Sequence, residues 1–309
     1  MRNGYTYSQA ELDDFIIQED INLSRDSAFM IALGEMQAKD FSVKSLNICL
    51  ESSSLYLMEI AANIFATGVI CTEKMKIKLL ASPNWKRYHP LIEALRREST
   101  AEVPKPKFSI EEIEELFEDQ IQKFVSGYIA HSSILLAQIA INQPEVRALI
   151  VKRLVDQRKN RSNRNISYKA LVELAEKMQA CLEPYKSDLL TPTEDNKGNL
   201  DILAKAIENG LAINDTDKTQ LYKMAYTQRA FLIIASAVQN GGLTFDEAEV
   251  NGFFEKLSYG EEAILMALIE ADHPFTEPQH VLIAGNKWLN SALVARQNVP
   301  PSSPFTVTL

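Results

Sequence analysis

The chain has 309 residues, 46% of them hydrophobic and 24% charged, which is typical of a folded protein and excludes a disordered one. Its 32 basic and 41 acidic residues give a net charge of −9, which excludes a general binder of polyanions. The cysteines Cys49, Cys71 and Cys181 are scattered and odd in number, so we expect a reducing compartment and no disulfide framework. No apolar run is long enough to span a membrane, and the N-terminus lacks the apolar core of a secretory signal. We therefore expect a cytoplasmic protein.

The first part of the chain, residues 1–98, is predicted to be an N-terminal helical domain. Periodic apolar residues predict helices near 7–19, 25–39, 43–51, 54–66, 72–80 and 85–97. The stretch 99–108, STAEVPKPKF, has two prolines and no periodicity, so it is predicted to be a linker.

A central helical segment, 109–184, follows, and Ser109 with Glu112 is predicted to cap its first helix. Residues 147–169 hold eight basic residues and one acid, against the overall sign of the chain. We expect a polar basic loop at 157–166. The candidate binding residues there are Arg153, Arg158, Lys159, Arg161 and Arg164. They suit an acidic protein face, an anionic membrane surface or RNA. A solvated loop explains them equally well, and nucleic acid is disfavoured because no aromatic platform accompanies them.

One short helical pattern occurs three times in residues 185–297, which are predicted to be C-terminal helical repeats. The copies are Leu203–Asn209, Ile234–Asn240 and Met266–Asp272, with starts 31 and 32 residues apart. Each has small or apolar residues on one helical face and an Asn or Asp at the helix exit. A period near thirty indicates stacked helical hairpins, none of which buries its apolar face alone. An ordinary helical bundle with similar alanine-rich helices is the alternative.

Two further copies lie upstream, at Leu57–Asn63 and Leu136–Asn142. When the pair near 54–80 is aligned with 231–257 on Gly68 and Gly241, Ile77 matches Val250 and Leu80 matches Phe253. Capping boxes are predicted at Thr244 with Glu247 and at Thr276 with Gln279.

The sequence nominates no catalytic residue, no metal site and no cofactor. It has no phosphate-binding glycine loop, no HExxH, no GxSxG and no paired-cysteine spacing. Asp272, His273, Glu277 and His280 form one group of metal-ligand types, but they straddle an inter-helix turn, where capping or surface roles are commoner. An active site assembled from distant residues stays open.

Helical arrays bind other polypeptides through extended grooves, in which aromatic side chains serve as anchors. The candidate anchors are Tyr222, Tyr226, Tyr259 and Trp288. Partly buried packing is the commoner role for each of these residue types.

Residues 199–292 resemble the α-helical repeat proteins of the tetratricopeptide and HEAT-like classes in period and in helix–turn–helix layout. The tetratricopeptide Trp and closing Pro are absent. The tail 298–309, NVPPSSPFTVTL, is predicted to be flexible, and it resembles the export signals of bacterial type IV secreted effectors. That resemblance implies secretion into a host cell without a cleavable N-terminal signal.

We therefore expect an all-α protein, with helical hairpins stacked as an irregular α-solenoid or an elongated multi-helix bundle. Its expected function is non-catalytic binding and modulation of another protein. The alternatives are an all-helical enzyme or small-GTPase regulator with a site assembled from distant residues, and an anionic-lipid or RNA adaptor acting through 147–169.

Overall fold

The computed structural model describes residues 14, 43–52, 55–66, 68–82, 85–98, 103–123, 130–158, 164–191, 196–224, 228–240 and 242–298. Every regular element in these ranges is a helix, so the predicted all-α class is confirmed. None of the described helices combines the length and apolar character that a membrane span needs. The chain forms two compact units, Met1–Glu173 and Leu174–Leu309.

Alternate helices pack side by side in the first unit. Its helices are α1 Val43–Glu51, α2 Leu55–Ala66, α3 Glu73–Ala81, α4 Tyr88–Arg96, α5 Ile110–Lys123, α6 Ala130–Asn142, α7 Pro144–Arg158 and the first residues of α8 Arg164–Met178. Helix α4 packs between α2 and α6, while α3 contacts α4 and α5 contacts α6. The side chains of Phe65, Leu91 and Phe117 are fully buried in this unit.

The described part of the predicted linker, 103–108, is bound to the turn between α6 and α7. Lys105 Nζ donates to Asn142 Oδ1 over 2.7 Å. The backbone N–H of Phe108 donates to Gln143 Oε1 over 2.7 Å, and Gln143 Nε2 donates back to the Phe108 carbonyl over 3.1 Å. The amide of Gln143 therefore holds the extended segment that leads into α5.

The second unit has the same alternation. Its helices are the end of α8, a 3₁₀ segment Gln179–Tyr185, α9 Lys186–Leu190, α10 Asn196–Glu208, α11 Asp215–Met224, α12 Gln228–Gln239, α13 Glu247–Lys256, α14 Tyr259–Glu270, α15 Glu277–Gly285 and α16 Lys287–Gln297. Helix α12 packs between α10 and α14, and α16 packs on α14. Helices α9, α11, α13 and α15 alternate with them along the chain.

The predicted helix exits of this unit close with one hydrogen-bond pattern. The N–H of Leu211 donates to the carbonyl of Ala206 over 2.8 Å, and that of Gly242 donates to Ala237 over 2.9 Å. The corresponding bond at the end of α14 runs from His273 to Leu268 over 3.0 Å. Such bonds pair carbonyls that a helix end otherwise leaves without a partner. The closure recurs at a constant interval of 31 residues.

Positive φ angles complete two of these exits, at Gly210 (φ 101) and Asp272 (φ 54). The upstream copy in α2 differs, because Asn63 lies inside the helix and the positive φ falls on Gly68. Ile64 and Phe65 are buried, so core packing carries α2 past Asn63 to Ala66, where the predicted helix 54–66 ends.

The capping boxes at Ser109–Glu112 and Thr276–Gln279 are confirmed. The one predicted at Thr244 is wrong, because the residue that caps α13 is Asp246, in a box with Glu249. Phe245 is buried with its ring 5.2 Å from that of Phe253, so the chain reaches the core before the helix begins.

Candidate functional site

A lysine on α11 ties that helix to the start of α13. Lys218 Nζ lies 2.8 Å from Glu249 Oε1 and donates to the Thr244 carbonyl over 3.1 Å. It also lies 4.6 Å from the ring centre of Phe245, and only 11% of its side chain is exposed. Glu249 accepts from the backbone N–H of Asp246 as well, so its carboxylate is held from two sides.

The same arrangement occurs at two other lysines. Lys186 on α9 donates to the Ala212 carbonyl and lies 3.0 Å from Asp217. In the first unit, Lys76 on α3 donates to the Lys107 carbonyl and lies 2.8 Å from Glu112. Each lysine contacts two groups at the start of a later helix. One is the backbone carbonyl two residues before the capping residue, and the other is the carboxylate three residues after the capping residue.

The last junction in the second unit replaces the ion pair with amides. Gln279 Nε2 donates to Asn251 Oδ1 over 2.9 Å. Gln279 stands three residues after its capping residue, as the acids do, but Asn251 is one residue beyond the place of the lysine, which Val250 occupies. An uncharged side-chain contact therefore joins α13 to the start of α15.

A cleft of about 540 Å³ opens beside the Lys218–Glu249 pair, among helices α11 to α14. It is lined by three aromatic rings, two carboxylates, one lysine and one glycine: Tyr222, Phe231, Phe253, Glu249, Glu261, Lys256 and Gly252. Burial, followed by the charges of Glu249 and Glu261, raises the pKa of Tyr222 far above its ordinary value. The phenol is therefore neutral at physiological pH.

Two glycines shape the cleft in opposite ways. A Cβ on Gly260 would lie 2.6 Å from the ring of Phe231, so glycine allows α12 and α14 their close approach. A Cβ on Gly252 would have no atom within 4 Å, so the missing side chain leaves the cleft open on the α13 side.

Glu261 is the most enclosed charged group of the cleft, in a residue only 8% exposed. The hydroxyl of Ser258, which caps α14, donates to its carboxylate. Ile264 and Leu265 are buried on the same helix, one turn further on.

The predicted aromatic anchors occupy different places. Tyr222 lines the cleft, and Tyr259 begins α14 two residues before Glu261 with 63% of its surface exposed. Trp288 is 67% exposed in the first turn of α16 and does not line the cleft. Tyr226 lies outside the described residues.

The predicted basic site is only partly described. Arg153 pairs with Glu114 and lies 3.7 Å from Glu118, with its guanidinium 5.0 Å from the ring centre of Phe117. Arg158 ends α7 and is only 5% exposed. Lys159 and Arg161 lie outside the described residues, as does the side chain of Arg164. The two described side chains therefore offer less free positive charge than the sequence suggests.

A histidine–carboxylate cluster in the first unit was not predicted. His89 Nδ1 lies 3.1 Å from Glu59, its Nε2 lies 3.7 Å from Glu93, and its ring is 5.8 Å from that of His131. The hydrogen bond to Glu93, assisted by Glu59, raises the pKa of His89 above its ordinary value. Burial, assisted by the nearby His89, lowers the pKa of His131.

The histidine group near 272–280 packs around an aromatic ring. His273 and His280 lie 5.0 and 6.0 Å from the ring of Phe275, and Asp272 pairs with Arg296. Across the described part of the chain, no three His, Cys, Asp or Glu side chains are grouped so that they can hold a metal ion. Cys71 is buried, which raises its pKa to about 12 and keeps it a thiol.

The sequence did not identify Phe231, Gly252 or Glu261 as members of a site. Glu261 stands in the first turn of a helix, where acids are common for reasons of capping and dipole alone. Searches against known protein families, curated proteins and solved structures find no match for this chain.

Proposed function

We propose that the chain is a helical-repeat protein that binds another polypeptide and modulates it without chemistry of its own. The observation that carries this proposal is the cleft among α11 to α14, because it lies where two successive helical pairs meet. Junctions of this kind line the binding surfaces of helical arrays.

Two recurring features support the repeat interpretation. Helix exits close in the same way every 31 residues, from Ala206 to Ala237 to Leu268. A lysine joins one helical pair to the next at Lys186 and again at Lys218. A bundle of unrelated helices has no reason to reproduce either feature in register.

The bonding of the cleft carboxylates favours binding over catalysis. Glu249 is engaged by Lys218 and by the N–H of Asp246, and Glu261 accepts from Ser258. A general acid or base must exchange protons with a substrate, whereas these groups hold helix starts and a lysine. An all-helical enzyme or GTPase regulator stays the alternative.

The exposed aromatic side chains add contact area to the proposed surface. Tyr259 adjoins the cleft in sequence, and Trp288 stands on the next helix of the stack, α16. Aromatic residues of this kind dominate protein–protein contacts. Export into a host cell stays a prediction, since 299–309 lie outside the described residues.

Affinity capture from a native cytosol, followed by mass spectrometry and by titration of the purified partner, tests the proposal. We expect a stoichiometric protein partner whose binding is lost with Tyr222→Ala plus Tyr259→Ala. Binding that is instead lost on replacing Arg158, Lys159, Arg161 and Arg164 with Gln, and that falls steeply with salt, would favour the anionic-partner alternative. Finding no partner that requires either surface would refute the proposal.

A further inference from the structure

We propose that the cleft among α11 to α14 receives one basic side chain, a Lys or an Arg, from the partner polypeptide. This inference rests on the proposed function and specifies the chemistry of its ligand.

The charge balance of the cleft is the first argument. Glu249 is neutralised by Lys218 at 2.8 Å, so its charge is already matched. Glu261 is buried, its carboxylate accepts from the neutral hydroxyl of Ser258, and it forms no ion pair with any described residue. A buried carboxylate without a counter-ion is costly, and an arriving cation removes that cost.

The aromatic rings are the second argument. Tyr222, Phe231 and Phe253 line the cleft together with Glu261. Aromatic faces attract ammonium and guanidinium groups, and apolar walls pack against the methylene stem of a Lys or Arg side chain. The volume of about 540 Å³ is sufficient for such a side chain.

Lys256 is the charge that opposes the incoming cation. It is exposed on α13 and belongs to the lining of the cleft. Its ammonium repels a second cation, so the removal of this charge strengthens binding of the basic side chain.

Gly252 provides a way to close the cleft without disturbing the helix. Its Cβ position is open, and it lies inside α13, where a leucine is a better helix former than glycine. Gly252→Leu therefore fills the cleft, while the fold is expected to be retained. Gly285→Leu is a matched control, because Gly285 is also helical with open space at Cβ and does not line the cleft.

The test is a selection of phage-displayed random dodecapeptides on the full chain. Peptides that also bind Gly252→Leu are removed. Enriched peptides are then synthesised, with their basic residue either kept or replaced by norleucine, and titrated by fluorescence polarisation. N-acetyl-lysine amide is added as a competitor, to separate recognition of a polypeptide from recognition of a small amine.

We expect the selected peptides to be rich in Lys or Arg. Glu261→Gln should weaken binding of the basic peptide about tenfold or more, and binding of the norleucine peptide by less than about twofold. This difference is expected if Glu261 contacts the basic side chain directly. Lys256→Gln should raise the affinity for the basic peptide, and Gly285→Leu should leave that affinity unchanged. Millimolar N-acetyl-lysine amide should compete only weakly.

A selection that enriches no cleft-dependent peptide, or peptides without a basic residue, overturns the inference. Equal loss of both synthetic peptides with Glu261→Gln also overturns it, and strong competition by the small amine overturns the assignment to a polypeptide. Peptides that require the cleft but bind through an apolar or acidic residue would refute the basic side chain and would still support binding of a polypeptide. Failure of the capture experiment refutes that function separately.

Discussion

Lys218 on α11 and Glu249 on α13 form a 2.8 Å ion pair that joins two successive helical pairs. The lysine has a second acid three residues earlier, Asp215 at 3.5 Å, and Lys76 and Lys186 have equivalents in Glu73 and Glu183. Each lysine therefore lies between an acid of its own helical region and the capping acid of a later helix. We infer that this joint fixes the spacing of neighbouring pairs.

Replacing Lys218 with Met should destabilise the second unit. The substitution keeps the apolar stem but removes the ammonium donor from the Thr244 carbonyl and from the Glu249 carboxylate, which costs about 1–3 kcal/mol. Urea unfolding followed by circular dichroism measures the change.

Lys205→Met is the matched control for that variant. Lys205 pairs with Glu208 at 3.1 Å, but 36% of its side chain is exposed, and such surface pairs are worth less than about 1 kcal/mol. Equal losses for the two variants would show that the Lys218 joint has no special role.

Gly252→Ala and Gly260→Ala should change stability in opposite directions. Alanine at Gly252 has open space and a higher helix propensity than glycine, so it should raise the free energy of unfolding by up to about 1 kcal/mol. Alanine at Gly260 meets the Phe231 ring and costs about 1–3 kcal/mol by overpacking. Thermal unfolding of both variants measures the sign, and a stabilised Gly260→Ala would contradict the described packing.

Gly210→Ala should destabilise the exit of α10. The φ of 101 at Gly210 is one that an alanine adopts only at a cost of about 1–2 kcal/mol. Gly285→Ala serves as the control, because Gly285 lies within α15 without a positive φ. Differential scanning calorimetry of the two variants should show a lower Tm for the first only.

His89 should make the first unit more stable in mild acid than in mild base. Glu93 and Glu59 raise the pKa of His89, so its contribution is fully present below its unfolded pKa of about 6.5 and is lost as pH rises through the folded pKa. His89→Gln should therefore lower the free energy of unfolding more at about pH 5.5 than at about pH 8.5.

His131→Gln gives the opposite pH dependence. The pKa of His131 is lowered, by burial and then by His89, so the native state resists its protonation and loses stability as pH falls below about 6.5. Lys86 and Lys169 also oppose protonation of His131, while Glu59 favours it. Histidine titration by NMR checks both directions, and a common pKa for the two rings would contradict the described cluster.

The helices and most of their ends were predictable, because their signals are local. The boxes at Ser109 and Thr276 and the exits at Asn209, Asn240 and Asp272 depend on residues close together in sequence. Such signals can be identified in the sequence without knowledge of the tertiary packing.

The register of α3 was not predictable from its glycine. Alignment on Gly68 matched Ile77 with Val250, but Ile77 is 56% exposed, whereas Val250 and Lys76 are buried. The connection from Gly68 to the capping residue Thr72 is one residue shorter than the one from Gly241 to Asp246, so alignment on the caps restores the match. A buried lysine does not contribute to the apolar pattern of the sequence. Its burial is explained only by the carbonyl and carboxylate groups that it contacts in the fold.

The cleft was beyond prediction for a different reason. Its rings and carboxylates come from four helices, and Tyr222 and Glu261 are far apart in sequence. Tyr222 was identified as a candidate anchor from its residue type, without its neighbours, and the open space at Gly252 exists only in three dimensions.

We propose that a polypeptide partner binds at the junction of α11 to α14. The most direct test is calorimetric titration of the purified, captured partner into the wild type, Gly252→Leu and Gly285→Leu. We predict that Gly252→Leu raises the Kd about a hundredfold, while its free energy of unfolding is unchanged or higher. Gly285→Leu should bind the partner with the Kd of the wild type. A Kd that is the same for all three proteins would show that the partner does not bind in this cleft.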